Sequence, residues 1–442
     1  MQNNKTQLNL TCHPEFVSRS HSAPYGLDLV SRKVPKLRFK EFTDEWQAKK
    51  LHCFLEESGK RNYDSNFTKN EVLSVSGEFG IVNQIEFQGR SFAGSLVNNY
   101  HVVEKGDIVY TKSPLKANPY GIIKHNSGKP GIVSTLYAVY KCRSCAEPRF
   151  LDYHFQLHDN TNKYLRPLVH KGAKNDMKIS NSHVLDGQIF SPLREEQAKI
   201  ADFLTAMDEK LKILDKKKMA FEKYKKGVMQ AIFSQKTRFK KLDGSYYPNW
   251  EVKKLGEIGV TYNGLTNKSA EDFGTGSLFI TYMQVYGNSS IDVSKFAKVE
   301  VRTNENQNKA IKGDVFFTTS SETPDEVGFS SVLLENIDDV YLNSFCFGYR
   351  LNDLSETMPE YLRFLFRSEI FRIKVVRLAQ GSTRFNLSKT ALMKIVIEMP
   401  NIQEQEKIAS FLTSLNHRID LINKELEQAK LFKKSLLQQM FV

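Results

Sequence analysis

The chain has 442 residues, 40% hydrophobic and 26% charged, a balance that excludes a disordered or fibrous protein and leaves room for two or three domains. No apolar run approaches the ~20 residues of a membrane helix, the polar residues 1–33 lack the apolar core of a secretory signal, and a cytoplasmic location is expected. The formal charge of +13 suits a polyanionic partner, and the odd, scattered set Cys12, Cys53, Cys142, Cys145 and Cys346 points to reduced thiols rather than a disulfide framework.

In chain order, residues 1–33 are expected to be a disordered tail, and residues 34–191 a mixed α/β domain. Gly106 to Thr111 and Ile132 to Tyr140 are rich in β-branched and aromatic residues and read as strands. Between them runs the polar loop from Lys112 to Tyr120, in which Lys112, Ser113, Lys116, Asn118 and Tyr120 are candidates to reach nucleic acid. Cys142 and Cys145 form a lone C-x-x-C without a second pair, so packing and not metal is expected there. Phe150 to Leu157 is apolar at helical spacing. Lys171, Lys174 and Lys178 surround Gly172, the pattern of a basic turn.

Residues 192–235 read as one long helix. Pro192 stands at its entry with Glu195 and Glu196 in the first turn, and Leu204, Met207, Leu211, Leu214 and Phe221 set an apolar stripe. The run Lys210, Lys212, Lys216, Lys217, Lys218, Lys223, Lys225 and Lys226 reads as a solvated face, with a phosphate track as the alternative. Residues 236–399 form a second mixed domain. Its loop Thr318, Thr319, Ser320, Ser321 and Glu322 follows a strand, Pro359 to Lys374 reads as helical, and Arg377, Arg384 and Lys389 surround Gly381. Arg384 followed by Phe385 and Asn386 offers cation, stack and amide to a nucleic acid. Residues 400–442 form the second long helix, with Leu412, Leu415, Ile419, Ile422 and Leu426 in its stripe.

The second half repeats the first. Pro192 to Thr205 and Pro400 to Thr413 agree at nine of fourteen ungapped positions, 208 residues apart. Arg38-Phe39-Lys40 recurs as Arg238-Phe239-Lys240, Trp46 as Trp250, Lys105-Gly106-Asp107 as Lys312-Gly313-Asp314, and Lys225-Lys226 as Lys433-Lys434. A period this long makes each copy a domain followed by a helix, not a solenoid unit. A lone amphipathic helix of this length must bury its seam, and the chain offers one partner of matching length. The fold expected is α+β: two homologous mixed domains joined by an antiparallel two-helix coiled coil related by a pseudo-twofold axis.

Motifs for chemistry are missing. Gly128-Lys129 runs into Pro130 and fails the P-loop pattern, and Gly274-Thr275-Gly276 lacks the third glycine of a dinucleotide loop. Asn118-Pro119-Tyr120 approaches the Asn-Pro-Pro-Tyr signature of amino-methyltransferases but lacks its second proline. Neither catalytic nor metal-ligating residues are assigned.

The twin P-x-x-x-E-Q-x-K-I-A-x-F-L-T helix entries, the Lys36 to Lys40 start, Trp46 and the Gly313 to Glu322 run resemble the specificity subunits of type I restriction–modification systems over nearly all of Pro35 to Val442. The resemblance implies a non-catalytic subunit with two target-recognition domains, each reading one half of a split sequence in double-stranded DNA. It implies that the paired helices set the gap and dock two methylation subunits, with two restriction (translocase and nuclease) subunits beyond them. No cofactor is expected on this chain; AdoMet, and ATP with magnesium, are implied for the partner subunits. The alternatives are a recognition subunit of another restriction or methylation complex, a structural coiled-coil protein that binds proteins, and, on the Asn118 motif alone, a stand-alone methyltransferase.

Overall fold

The computed structural model describes residues 16–18, 34–171 and 177–442. The expected disordered tail lies outside them apart from the strand Phe16–Ser18, which pairs antiparallel with Leu37–Phe39. The chain divides into two compact units: Met1–Leu214 with Glu425–Val442, and Asp215–Lys424. Each holds one mixed α/β domain, the start of one long helix and the end of the other.

The repeat carries through to topology. In the first unit four antiparallel strands run in the order Leu55–Glu57, Tyr137–Cys142, Ile108–Thr111, Ile122–His125. In the second the same order is filled by Gly259–Asn263, Cys346–Leu351, Val315–Thr318 and Ser330–Val332. The strands Ile108–Thr111 and Val315–Thr318 are buried at every position, which is why they read as unbroken apolar runs instead of alternating ones. The run Ile132 to Tyr140 divides into two strands, Gly131–Val133 and Tyr137–Cys142. The second unit adds a sheet ordered Ala297–Val299, Phe273–Ile280, Val340–Leu342, Lys309–Ala310.

The Lys-Gly-Asp repeat is a turn. Gly106 and Gly313 take φ of 97° and 92°, and the aspartate that follows accepts a backbone N–H from three residues earlier: Glu104 to Asp107 at 2.8 Å, Ile311 to Asp314 at 2.9 Å. Burial pushes the Asp107 carboxyl above its ordinary range.

The long helices are Arg194–Phe233 and Ile402–Met440. In the first unit Leu211 and Leu214 pack against Leu426 and Ala429, Lys433 pairs with Asp208 at 2.5 Å, and Lys210 lies 3.8 Å from Glu425, so the two segments run antiparallel. In the second unit Ile232 and Phe233 share a core with Ile408, Ala409, Leu412 and Leu415, again antiparallel in direction. The ends of the stripes enter domain cores. Leu204 joins Trp46, Phe150, Leu436, Met440 and Phe441, with Met207 half-buried beside them. Ile419 and Ile422 are buried, and Phe221 is half-buried.

The repeated helix entry is explained by one junction, built twice. Glu196 accepts both Arg38 Nε and Nη2 at 2.7 Å, and Trp46 Nε1 at 3.3 Å. Glu404 accepts Arg238 Nε at 3.2 Å and Nη2 at 2.6 Å, and Trp250 Nε1 at 3.1 Å. The next residue finishes the joint. Gln197 accepts the Glu147 N–H at 3.0 Å and donates to the Pro192 carbonyl at 3.0 Å; Gln405 does the same with Met358 at 2.9 Å and Pro400 at 2.8 Å. Phe39 meets Phe203, and Phe239 meets Phe411, edge-on at 5.9 and 5.8 Å. Buried polar groups need partners, so every member of this network is constrained by the others.

Candidate nucleic-acid interface

In the first unit the Lys112–Tyr120 loop is held down from beneath. Asn118 is buried; its Oδ1 lies 2.6 Å from His158 Nδ1, and its carbonyl accepts the Leu115 N–H at 3.1 Å. Asn162 Nδ2 donates to the Ala117 carbonyl at 2.9 Å, and Tyr110 OH to the Tyr120 carbonyl at 2.8 Å. Asn118 therefore positions the loop, while Ser113 and Lys116 are exposed on it and Lys112 and Tyr120 are half-buried. Lys171 sits in the short strand His170–Lys171, paired with Met177–Lys178. Lys174 and Gly172 lie outside the described residues.

The second unit brings two of the loops together. Ser320 pairs with Asn386 and Ser321 with Phe385, and Leu387 N–H donates to the Thr319 carbonyl at 2.8 Å. Residues 380–386 close on themselves through reciprocal bonds between Gln380 and Asn386 at 3.0 and 2.8 Å. Gly381 is required in that turn: its φ is 129°, and a Cβ there would stand 2.0 Å from the Arg384 carbonyl. Thr318 and Ser321 are buried and shape the loop; Glu322, Arg384 and Asn386 are exposed, with Thr319 and Ser320 half-buried. Tyr282 joins this edge by donating to the Ser320 carbonyl at 2.9 Å, and it stacks on Tyr286 at 6.0 Å. Burial raises the Tyr282 phenol above its ordinary range. The pattern of the sequence did not single out Tyr282, because its signal is proximity across the fold and not spacing along it.

Arg377 is exposed and lines a different feature, a cleft of about 1360 Å³ in the second unit that also receives Lys225, Lys226, Arg363, Arg367 and Arg372. Arg367 donates to the carbonyls of Ser330, Val285, Tyr286 and Asn288, and Arg372 to those of Gly328, Asp325 and Val327. Burial pushes both guanidiniums down to about 10, helped at Arg367 by the charge of Arg372 and opposed at Arg372 by Asp325. Burial lowers the Lys225 ammonium as well, reinforced by Arg363. Of the basic run on the first helix, Lys225 and Lys226 are the members that face this cleft. Among the described residues no group of histidine, cysteine and carboxylate side chains could hold a metal ion.

Residues 247–431 match the family model described as the type I restriction modification DNA specificity domain. The putatively named relative from Methanocaldococcus jannaschii, the type I restriction enzyme MjaX specificity subunit, is 24% identical over 91% of this chain and 94% of its own length. Residues 247–431 thus match a type I restriction–modification specificity domain, and the chain is similar along most of its length to specificity subunits of such systems. From the same organism, the MjaVIII specificity subunit is 24% identical over 70% of this chain and 73% of its own length. The fold is that of the S subunit of a type I system from M. genitalium, with TM-score 0.54 and 14% identity over 92% of this chain and 99% of that one. A chain from a structure describing complex assembly and conformational transition of the type I system gives TM-score 0.52 at 16% identity, over 89% of this chain and 96% of that one. No helix among the described residues is long and apolar enough to cross a membrane.

Proposed function

We propose that this chain is the non-catalytic DNA-recognition (specificity) subunit of a type I restriction–modification system, that it reads a bipartite target in duplex DNA, one domain to each half-site, and that its paired helices dock two methylation subunits. The observation that carries the reading is the contrast between frame and loops. Both units have the same sheet order and the same Arg–Trp–Glu junction, yet the loop after the central strand is Lys112-Ser-Pro-Leu-Lys-Ala-Asn-Pro-Tyr120 in one and Thr318-Thr-Ser-Ser-Glu-Thr323 in the other. Equivalent supports with different side chains suit two different half-sites. The exposed Ser113, Lys116, Glu322 and Arg384 and the half-buried Thr319 and Ser320 are the side chains assigned to DNA contact, and Lys112, Tyr120, Lys171, Lys174 and Arg377 are further candidates. Buried Asn118, Thr318 and Ser321 hold the loops in shape. AdoMet, and ATP with magnesium, belong on this reading to the methylation and restriction subunits.

The test is selection of duplexes from a randomised library by the chain co-expressed with its methylation subunits. Recovery of two short sequences at a fixed separation is expected. Substituting residues 318–322 should then change one of the two and leave the other. Enrichment of no sequence, or equal loss at both half-sites, would overturn the assignment.

A further inference from the structure

The two units are not electrostatically alike where each helix end crosses its domain. In the first unit the ammonium of Lys433 is neutralised by Asp208 at 2.5 Å, and Tyr153 OH donates to the same carboxylate at 2.7 Å. The helix beneath, Pro148–Gln156, contributes Asp152, which accepts the His125 N–H at 3.0 Å, and the neutral Gln156. The second unit places different residues at the same positions. Lys225 stands for Lys433, Asn416 for Asp208, Phe364 for Tyr153, Arg363 for Asp152 and Arg367 for Gln156, reading Pro359 onto Pro148 and the long helices 208 residues apart. Two carboxylates have gone and two guanidiniums have arrived.

The cations that result are not neutralised within the fold. Among the described residues no carboxylate lies within ion-pair distance of Lys225, Lys226, Arg363, Arg367, Arg372 or Arg377. Arg363 is only 7% exposed; it donates to Thr413 Oγ1 at 2.8 Å, its Nε has no partner, and the acid whose charge it feels is Glu360 on its own helix. The acids around the cleft are at its rim. Glu222, Asp325, Glu369 and Asp420 are exposed, and Asp292 is occupied by Ser294 and Lys295. A buried charge without a counter-charge is costly, so the cations that line this cleft are poised for an anion.

We propose that this cleft is a phosphate-binding site present in the second unit and cancelled in the first. Several unneutralised cations call for more than one negative charge, which phosphate supplies and a lone carboxylate does not. Volume agrees, because about 1360 Å³ accommodates a run of phosphates. The phosphate comes from the backbone of duplex DNA or from a free phosphate compound. In the first case the inference deepens the DNA reading by giving the second half-site a sequence-independent anchor that the first lacks.

The decisive variant is Asn416→Asp, which writes into the second unit the acid that already pairs with lysine in the first. The full chain is titrated calorimetrically with tripolyphosphate, and duplex binding is measured across a range of salt. The site predicts tripolyphosphate binding that weakens about tenfold or more in Asn416→Asp and in Lys225→Gln, with unchanged thermal unfolding. If DNA is the source, duplex competes for tripolyphosphate, and Asn416→Asp lowers the slope of log affinity against log salt by about 1 for target and unrelated duplexes alike. Tripolyphosphate binding that duplex does not displace supports the site with a free phosphate compound as its ligand. Absence of tripolyphosphate binding, or binding indifferent to both variants, overturns the site, and does so even where the chain still selects its DNA sequence. Failure of sequence selection with tripolyphosphate binding intact would instead sink the DNA reading alone.

Discussion

Removing the Glu196 carboxylate by Glu196→Ala breaks the junction between the first long helix and its domain. Arg38 is then left with two N–H groups that had made 2.7 Å charge-assisted bonds, in a position only 9% exposed, and Trp46 Nε1 loses its acceptor. Breaking a buried pair from one side costs about 3–5 kcal/mol, a large share of the ~5–15 kcal/mol that holds a domain folded. The protein supplies its own reporter. It has two tryptophans, Trp46 and Trp250, one in each unit and each bonded to its own junction glutamate. In a Trp250→Phe background, urea unfolding followed by fluorescence reads the first unit. With a urea slope of about 2 kcal/mol/M, a loss of about 4 kcal/mol moves the midpoint down by about 2 M. Glu196→Gln, which keeps an acceptor but not the charge, should fall between. A midpoint shift below about 0.5 M for Glu196→Ala at unchanged slope would refute the claim that the repeated glutamate is there for this junction.

Phe441→Ala should destabilise the first unit by about 3–5 kcal/mol, because its ring packs 5.2 Å from Phe150, 5.8 Å from His154 and 6.3 Å from Trp46. The Trp46 transition reads it, and an unmoved transition would contradict the placement of the helix end. His101 and His154 are buried, and burial drops both imidazoles from 6.5 to about 4. With folded values below the unfolded one, their contribution is complete above pH 6.5 and is lost as pH falls from 6.5 towards 4, at up to ~1.4 kcal/mol per pH unit for each. Urea midpoints at pH 7.5 and 5.5 check this, and His154→Leu, which copies Leu365 of the second unit, should flatten the dependence; an equally steep loss in that variant would contradict it. Gly381→Val should disable the turn that presents Arg384 and change recognition at one half-site alone, read by duplex selection. Unaltered selection would remove that turn from the interface.

The repeat, the α+β class and the antiparallel helices were legible because each leaves a one-dimensional trace: a 208-residue echo and a 3–4 apolar spacing in both helices. The meaning of the echo was less so. Glu196 reads as a first-turn acid favoured by the helix dipole, yet it and its counterpart Glu404 are both buried and each bonded to an arginine more than 150 residues away. Arg38, Trp46 and Glu196 recur in the second half because they are parts of one object, and nothing in their spacing says that they touch. The run Ile132 to Tyr140 looked continuous because Ser134 to Leu136 carries too few breakers to mark the turn between its two strands. The loops were found by position, but the division of labour within them was not. Asn118, Thr318 and Ser321 look as able to meet a base as Lys116 or Arg384, and only burial separates the side chains that hold a loop from those it presents.

The measurement that bears most directly on the account is a genome-wide map of adenine methylation in a host carrying the methylation partner, with and without this chain. The account predicts a split motif, two short sequences at constant separation, that is methylated only when the chain is present and whose one half changes when residues 318–322 and Arg384 are replaced. A methylome that is the same in both hosts, with the methylation partner demonstrably active, would contradict it.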